Sequence, residues 1–326
     1  ANSMRTLDGA WTYSWQGEKV EEFAGQYHTI LEALEHKAGK ANVSYVPGVS
    51  YKMDGEYYEE FADKTDEAIA AAKNADVIVL CLGENSFSET PGNLNDLTLS
   101  DLQTELAQKL AATGKPVILV LNEGRPRVIN KFADQTAAIV QAYQPGNFGG
   151  DALADILYGD VNPSGKLPYT YPRYPNALIN YYHKPAEERA TMGGAYNYSA
   201  DFHPQFQFGD GLSYTTFKYS NLQLSSNQLN ADGTLTVSVD VSNTGQREGK
   251  EAVLLFSSDL VASLSPDVKR LRGFEKIGLK AGETKTVVFK LRPKDLAFVN
   301  ADNQLVTEPG EFSVSVGGLK ATFTYQ

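Results

Sequence analysis

Two hydrophobic periods divide this chain. Over roughly the first 200 residues, apolar runs alternate with helical spacings. Val77-Ile78-Val79-Leu80-Cys81-Leu82 is an unbroken apolar run, the pattern of a strand buried on both faces of a parallel sheet. The stretch before it, Asp66 to Lys73, predicts a helix. After it, Leu99, Leu102, Leu106 and Leu110 recur at helical spacing. Ser100 and Gln103 stand as a capping box at its start, and Gly114 with Pro116 ends it. Val117 to Leu121 and Ala137 to Tyr143 predict two further strands, and Asp151 to Leu157 the helix after them. Upstream, Tyr27 to Lys37 predicts a helix and Val43 to Val46 a short strand. This alternation implies an α/β class: a layered α/β/α sandwich with a mostly parallel sheet.

The pattern then changes. Residues 161–219 are rich in Pro, Tyr and Gly with little periodicity, and are expected to form a long connection laid over the first domain. From about Asn221 the period becomes two. Leu235, Val237, Val239 and Val241 alternate with Thr236, Ser238 and Asp240, and Val287, Phe289, Leu291 and Phe312, Val314, Val316 repeat the pattern. Turn signals at Ala231-Asp232-Gly233, Asn243-Thr244-Gly245 and Ala281-Gly282-Glu283 separate the runs. About seven short strands fit an all-β immunoglobulin or fibronectin III-like sandwich. The expected division is therefore 1–215 for the α/β domain, including most of the connection, and 221–326 for the β-sandwich.

Composition narrows the function classes. The 326 residues suffice for two domains. The net charge of −11 argues against a nucleic-acid partner. No apolar run reaches the ~20 residues that span a bilayer. Cys81 is the only cysteine, which excludes an internal disulfide framework and a Cys-built zinc site. His28, His36, His183 and His203 lack metal-ligand spacing, so no metal and no cofactor is expected. Ala1 to Arg5 carries neither an initiator Met nor the apolar core of a signal peptide, so a processed or truncated chain is expected. Aromatic residues are in excess, with 18 Tyr, 15 Phe and 2 Trp; such rings stack on sugars but also fill cores.

Ligands of open parallel sheets meet the loops beyond the carboxyl ends of strands. Two loops occupy such places: Gly83 to Asn93, and Asn122-Glu123-Gly124-Arg125-Pro126. The first is long and holds two carboxylates, Glu84 and Glu89. A carboxyl there could serve as a general acid if burial raised its pKa; otherwise one bonds within the loop and the other is solvated. Gly146 to Gly150 matches neither dinucleotide nor P-loop glycine patterns, and predicts a tight strand-to-helix turn. No Gly-x-Ser-x-Gly elbow exists. Asn42-Val43-Ser44 and Asn197-Tyr198-Ser199 match glycosylation sequons, a pattern short enough to arise by chance. Trp11 and Trp15 are either core residues or a stacking platform at a cleft edge.

Several segments, in one order, resemble the C-terminal half of glycoside hydrolase family 3 enzymes, chiefly β-glucosidases and exo-β-glucanases. They are Asp8-Gly9-Ala10-Trp11 through Trp15-Gln16-Gly17, Leu82-Gly83-Glu84 with Ser88-Glu89-Thr90, Gly124-Arg125-Pro126, and Gln144-Pro145-Gly146 through Gly149-Gly150. Asn162 through Pro168 and Phe208 through Thr215 complete the set. The resemblance implies a retaining exo-acting β-glycosidase in which Glu89 is the acid/base. Trp15 would line the leaving-group subsite, with Trp11 assisting and Glu84 bracing the loop. It places the nucleophile, an Asp, on a (β/α)8 barrel preceding these domains. None of the recognisable segments belongs to that barrel, so the isolated chain is expected to be inactive. Asn93 and Asp210 depart from the usual residues at their positions, Asp and Tyr. Partners implied are β-linked glucosides or oligosaccharides and the barrel itself. Glucosides are preferred to xylosides on overall resemblance alone, and the location implied is periplasmic or secreted. The alternative is a non-catalytic carbohydrate-binding or scaffolding module; a nucleotide-binding domain is disfavoured by the missing glycine motif.

Overall fold

The computed structural model describes residues 1–9, 11–52, 55–86, 92–177, 180–182 and 203–326. They form two compact units, Ala1–Val161 with Pro172–Leu178 and Asn162–Tyr171 with Ile179–Gln326.

In chain order the first unit contains α1 (Arg5–Asp8), α2 (Val20–Phe23), α3 (Ile30–Ala38), β1 (Val49–Tyr51), β2 (Glu60–Ala62), α4 (Thr65–Lys73), β3 (Ile78–Gly83), α5 (Asp101–Ala111), β4 (Val117–Asn122), β5 (Ala138–Gln141) and α6 (Gly149–Leu157). Strands β3, β4 and β5 form one parallel sheet in that order, with Leu80 opposite Leu119 and Leu119 opposite Ile139. Side chains alternate across it. Val79, Cys81, Val120 and Val140 face a cluster built from Met4, Leu7, Val20, Ile30 and Leu153, from α1, α2, α3 and α6 and the residue before α1. Leu80, Leu82, Leu119 and Leu121 point to the opposite face, where α5 packs beside β3 and α4. The three layers follow directly from the apolar runs.

Local signals set the helix ends. Helix α3 begins at Ile30, three residues after the start the periodicity suggests. There the Thr29 hydroxyl accepts from the Glu32 amide at 3.2 Å, and the Glu32 carboxylate accepts from the Thr29 amide at 2.9 Å. At α5 only half of the expected box forms. Ser100 Oγ accepts from the Gln103 amide, but the Gln103 side chain turns inward to the sheet. Val43 to Val46, expected as a strand, has no ladder partner; β1 starts at Val49 and pairs antiparallel with β2. Gly146 has positive φ, and a Cβ on Gly150 would overlap the His28 and Thr29 carbonyls. The glycines therefore serve the expected tight turn and the close approach of α6 to α3.

The second unit is all-β. Its strands are β6 (Phe217–Leu224), β7 (Gln228–Leu229), β8 (Leu235–Asn243), β9 (Gly249–Asp259), β10 (Arg270–Leu279), β11 (Thr284–Leu291), β12 (Phe298–Val299), β13 (Leu305–Val306), β14 (Gly310–Val316) and β15 (Leu319–Tyr325). The main sheets run β10-β9-β14-β15-β7 and β11-β8-β6, antiparallel except where β15 meets β7. The alternating Leu235, Val237, Val239 and Val241 join Val253, Leu255, Phe312, Val314 and Phe323 in one core.

Residues 162–171 form hydrogen bonds within the second unit. Asn162 Oδ1 accepts from the Tyr214 amide and Ser213 Oγ, both at 2.8 Å, and its Nδ2 donates to the Glu248 carbonyl at 2.9 Å. Lys166 Nζ donates to the Gly211 carbonyl at 2.7 Å and pairs with Glu251 at 3.4 Å. Two motifs far apart in sequence, Asn162–Pro168 and Phe208–Thr215, are thus one structural pair. Asp210, unusual for its position, accepts from the Gln207 amide at 2.7 Å and closes that turn.

Candidate active site

The carboxyl ends of β3, β4 and β5 bring Glu84, Asn122, Glu123 and the segment after Gln141 to one edge of the sheet. The turn into that edge depends on Gly83. Its φ is 141°, and a Cβ there would sit inside the Asn122 carbonyl, so glycine alone lets β3 and β4 stay in contact at their exits.

Glu84 is buried and organises the edge. Its carboxylate accepts from the Gly124 amide at 3.1 Å and the Arg125 amide at 3.2 Å. It also pairs with the guanidiniums of Arg125 at 2.9 Å and Arg127 at 3.0 Å. The arginines pass the constraint on. Arg125 Nη1 donates to the Gly92 carbonyl at 2.6 Å, and Arg127 donates to the carbonyls of Leu97 at 3.1 Å and Thr98 at 2.6 Å. A planar guanidinium suits this, since its fork serves a carboxylate and a carbonyl at once. On the other flank, Arg5 Nε donates to the buried Ser86 Oγ at 2.8 Å. The residues on each side of 87–91 are thus held by charge-assisted or buried hydrogen bonds. Glu84 braces the loop, as the motif reading expects. Glu89 itself falls in 87–91, outside the described residues.

The Trp-bearing turn packs against the exit of β5. Gly146 donates its amide to the Leu7 carbonyl at 3.0 Å. With the Asn147 amide oriented by its neighbours, its nitrogen donates to both Asp8 oxygens, at 3.0 and 3.1 Å, and its oxygen accepts from the Tyr13 hydroxyl at 2.7 Å. Burial, and then the nearby Glu21, push the Asp8 carboxyl up to about 6. Tyr13, Gln16 and Tyr143 have positive φ without being glycine, and such backbone strain concentrates at functional sites. Tyr13 stacks on Phe23 at 5.6 Å. The indoles are not core residues: Trp11 is 68% exposed and Trp15 45%. Arg5 lies in α1 and reaches Ser86, so it couples the Trp-bearing turn to the Glu84 loop. The motif reading did not identify Arg5, Arg127, Asp8 or Asn147 as parts of this edge. Their only sequence signal is that each lies within or beside a quoted segment.

Residues 3–214 match the glycosyl hydrolase family 3 C-terminal domain. The chain belongs to glycoside hydrolase family 3. Residues 251–320 match a fibronectin type III-like domain, so the resemblance and the α/β-then-all-β fold class both stand. Among similar family 3 proteins, a lysosomal β-glucosidase of Dictyostelium discoideum is 38% identical across 97% of this chain and 38% of its own length. A periplasmic β-glucosidase of Salmonella typhimurium is 37% identical across 97% and 43%. A β-xylosidase of Formosa agariphila is 42% identical across 89% and 40%. A solved mutant β-glucosidase of Listeria innocua, in complex with laminaribiose, matches at TM-score 0.75 and 33% identity, over 83% of this chain and 39% of that one. The chain therefore spans about two-fifths of the length of these relatives. Among the described residues, no helix is long and apolar enough to cross a membrane, and no cluster of His, Cys, Asp or Glu could hold a metal ion.

Proposed function

We propose that this chain is the C-terminal portion of a retaining, exo-acting β-glycosidase of the β-glucosidase type. It supplies the general acid/base, Glu89, and part of the leaving-group subsite through Trp15 and Trp11. The observation that carries the reading is the Glu84–Arg125–Arg127 brace, which holds the loop flanks at the carboxyl edge of the sheet. Similarity to β-glucosidases and a β-xylosidase along nearly the whole chain supports the reaction class. The relative bound to laminaribiose supports β-linked glucosides or oligosaccharides as substrates. Periplasmic or secreted location is supported by the periplasmic relative.

In the proposed chemistry, the Glu89 carboxyl protonates the departing glycosidic oxygen while an Asp nucleophile attacks the anomeric carbon. The Glu89 carboxylate then deprotonates the water that releases the sugar. Retention requires the two carboxyl groups ~5–5.5 Å apart. The Asp is assigned to a (β/α)8 barrel of the same protein, outside this chain. The isolated chain accordingly binds leaving-group sugars weakly and hydrolyses nothing.

The test uses the enzyme carrying all its domains. Glu89→Gln should slow turnover of an unactivated disaccharide by at least ~100-fold. Azide should partly restore the rate on an aryl glycoside with a good leaving group. Near-normal disaccharide hydrolysis by the variant would remove Glu89 from the role.

A further inference from the structure

The β1–β2 hairpin is tied to the carboxyl edge of the sheet at the root of its turn. Tyr51 and Glu60 form its last paired rung, and Gln103 fastens that rung to the exit of β3. Gln103 Oε1 accepts from the Gly83 amide at 2.8 Å, and its Nε2 donates to the Gly83 carbonyl at 2.9 Å and to Glu60 Oε1 at 2.6 Å. The Tyr51 hydroxyl donates to the same Gly83 carbonyl at 2.9 Å. Glu60 Oε2 accepts from Ser100 Oγ at 2.5 Å. The hairpin therefore leaves the rung in a fixed direction, beside the loop that begins at Glu84.

The turn beyond the rung braces itself. The Glu59 amide donates to the Glu56 carbonyl at 2.9 Å, and the Glu59 carboxylate accepts from the Glu56 amide at 3.0 Å. Lys52 closes the other side, its amide donating to the Glu59 carbonyl at 2.9 Å and its ammonium to the Glu59 carboxylate at 3.3 Å. At the tip stand Tyr57 and Tyr58, with rings edge to face at 5.1 Å. Tyr58 is exposed and Tyr57 is half-buried. The Tyr57 carbonyl accepts from Asn85 Nδ2 at 3.4 Å, and the Tyr57 hydroxyl donates to the Asn93 carbonyl. Asn85 Oδ1 accepts in turn from the Ser86 amide at 2.8 Å. One residue thus reaches both flanks of 87–91, the earlier flank through its backbone and the later one through its phenol.

We propose that Tyr57 is a positioning residue for the acid/base carboxyl. The inference rests on the assignment of that role to Glu89. The Glu84 brace holds the loop flanks from the side of the arginines, and Tyr57 joins the two flanks to each other from the side of the hairpin. A general acid works only when its proton lies within hydrogen-bond reach of the departing oxygen, and a misplacement of ~1 Å costs about 100-fold. Removing the phenol oxygen leaves the hairpin turn, the Gln103 rung and the Asn85 contact in place, because none of those bonds uses it. What is lost is the tie at Asn93, and the loss should be felt in proportion to the leaving group's need for a proton. Asn93 enters through its backbone carbonyl, so this tie is indifferent to whether position 93 carries Asn or Asp.

Tyr57→Phe and Glu89→Gln, each made in the enzyme carrying all its domains, test it side by side. The quantity read is kcat/KM, which reports on the steps up to departure of the leaving group. One substrate is a disaccharide of β-linked glucose, whose leaving oxygen must be protonated; the other is a dinitrophenyl β-glucoside, whose leaving group departs without a proton. In Tyr57→Phe the disaccharide value should fall ~10-fold, equivalent to about 1.4 kcal/mol, while the dinitrophenyl value stays within ~2-fold. Across aryl glucosides, kcat/KM should fall more steeply with leaving-group pKa than in the parent enzyme. A merely structural role would lower the whole series in parallel, and partial unfolding would scale every substrate alike, so the ratio decides. Equal losses on the two substrates, or no loss on the disaccharide, would overturn the proposal. If Glu89→Gln still splits the two substrates, the assignment of Glu89 survives that failure. If Glu89→Gln does not split them, that assignment falls and the role of Tyr57 falls with it.

Discussion

Replacing Glu84 by Gln keeps the shape of the side chain and removes its charge. The side chain is 4% exposed and pairs with two arginines that are 24% and 14% exposed. Breaking a buried pair from one side costs ~3–5 kcal/mol, because the partner charges stay behind. Two features reduce that here. Arg125 and Arg127 keep the carbonyls of Gly92, Leu97 and Thr98, and both reach some water. The Gln oxygen can also still accept from the Gly124 and Arg125 amides. A loss of ~2–3 kcal/mol remains, arising from a Gln amide that must turn its donors toward guanidinium donors. With a urea slope of ~2 kcal/mol/M for a unit of this size, the midpoint should fall by ~1–1.5 M. Tryptophan fluorescence isolates the transition, since Trp11 and Trp15 are the only tryptophans and both lie in the first unit. A double-mutant cycle with Arg125→Gln should return a coupling of at least ~1 kcal/mol. A midpoint shift below ~0.3 M with an unchanged slope would refute the brace.

Gly83→Ala should destabilise the first unit by more than ~3 kcal/mol, read from the same fluorescence transition, because φ near 141° and the Asn122 carbonyl both exclude a Cβ. The Asp8 carboxyl, raised to about 6, makes the folded unit bind a proton more tightly than the unfolded chain between pH ~4 and ~6. Stability should therefore fall as pH rises through that window and level off above it. Asp8→Asn should flatten this slope in melting temperatures across the window; a slope that persists would locate the proton elsewhere. Trp15→Ala, at an indole 45% exposed, should change the stability of the first unit by less than ~1 kcal/mol. In the intact enzyme the same change should raise KM for a disaccharide more than for an aryl glycoside.

The apolar run at Val77–Leu82 and the leucines at 99, 102, 106 and 110 were sufficient to place β3 and α5, because burial on two faces or on one stripe leaves a period in the sequence. The β-sandwich was legible for the same reason: Leu235 to Val241 alternates because one face meets a core and the other does not. The same rule failed at Val43–Val46. Alternation reports what a segment can bury, and a strand also needs a neighbour to bond. At Gln103 the local rule was half right. The capping spacing brought the backbone to Ser100, but the side chain found a more buried partner in Gly83.

The site divides in the same way. Glu84 and Arg125 stood in recognisable motifs, and bracing could be expected of the first. That Arg127 joins them, that Arg5 crosses from α1 to Ser86, and that Asp8 sits against Asn147 are contacts between residues 43, 81 and 139 positions apart. Hydrophobic periodicity is a local record of which side of an element is dry, and the chain alone carries it. Which polar groups meet at the carboxyl edge depends on how separate elements are brought together; only the tertiary structure decided that.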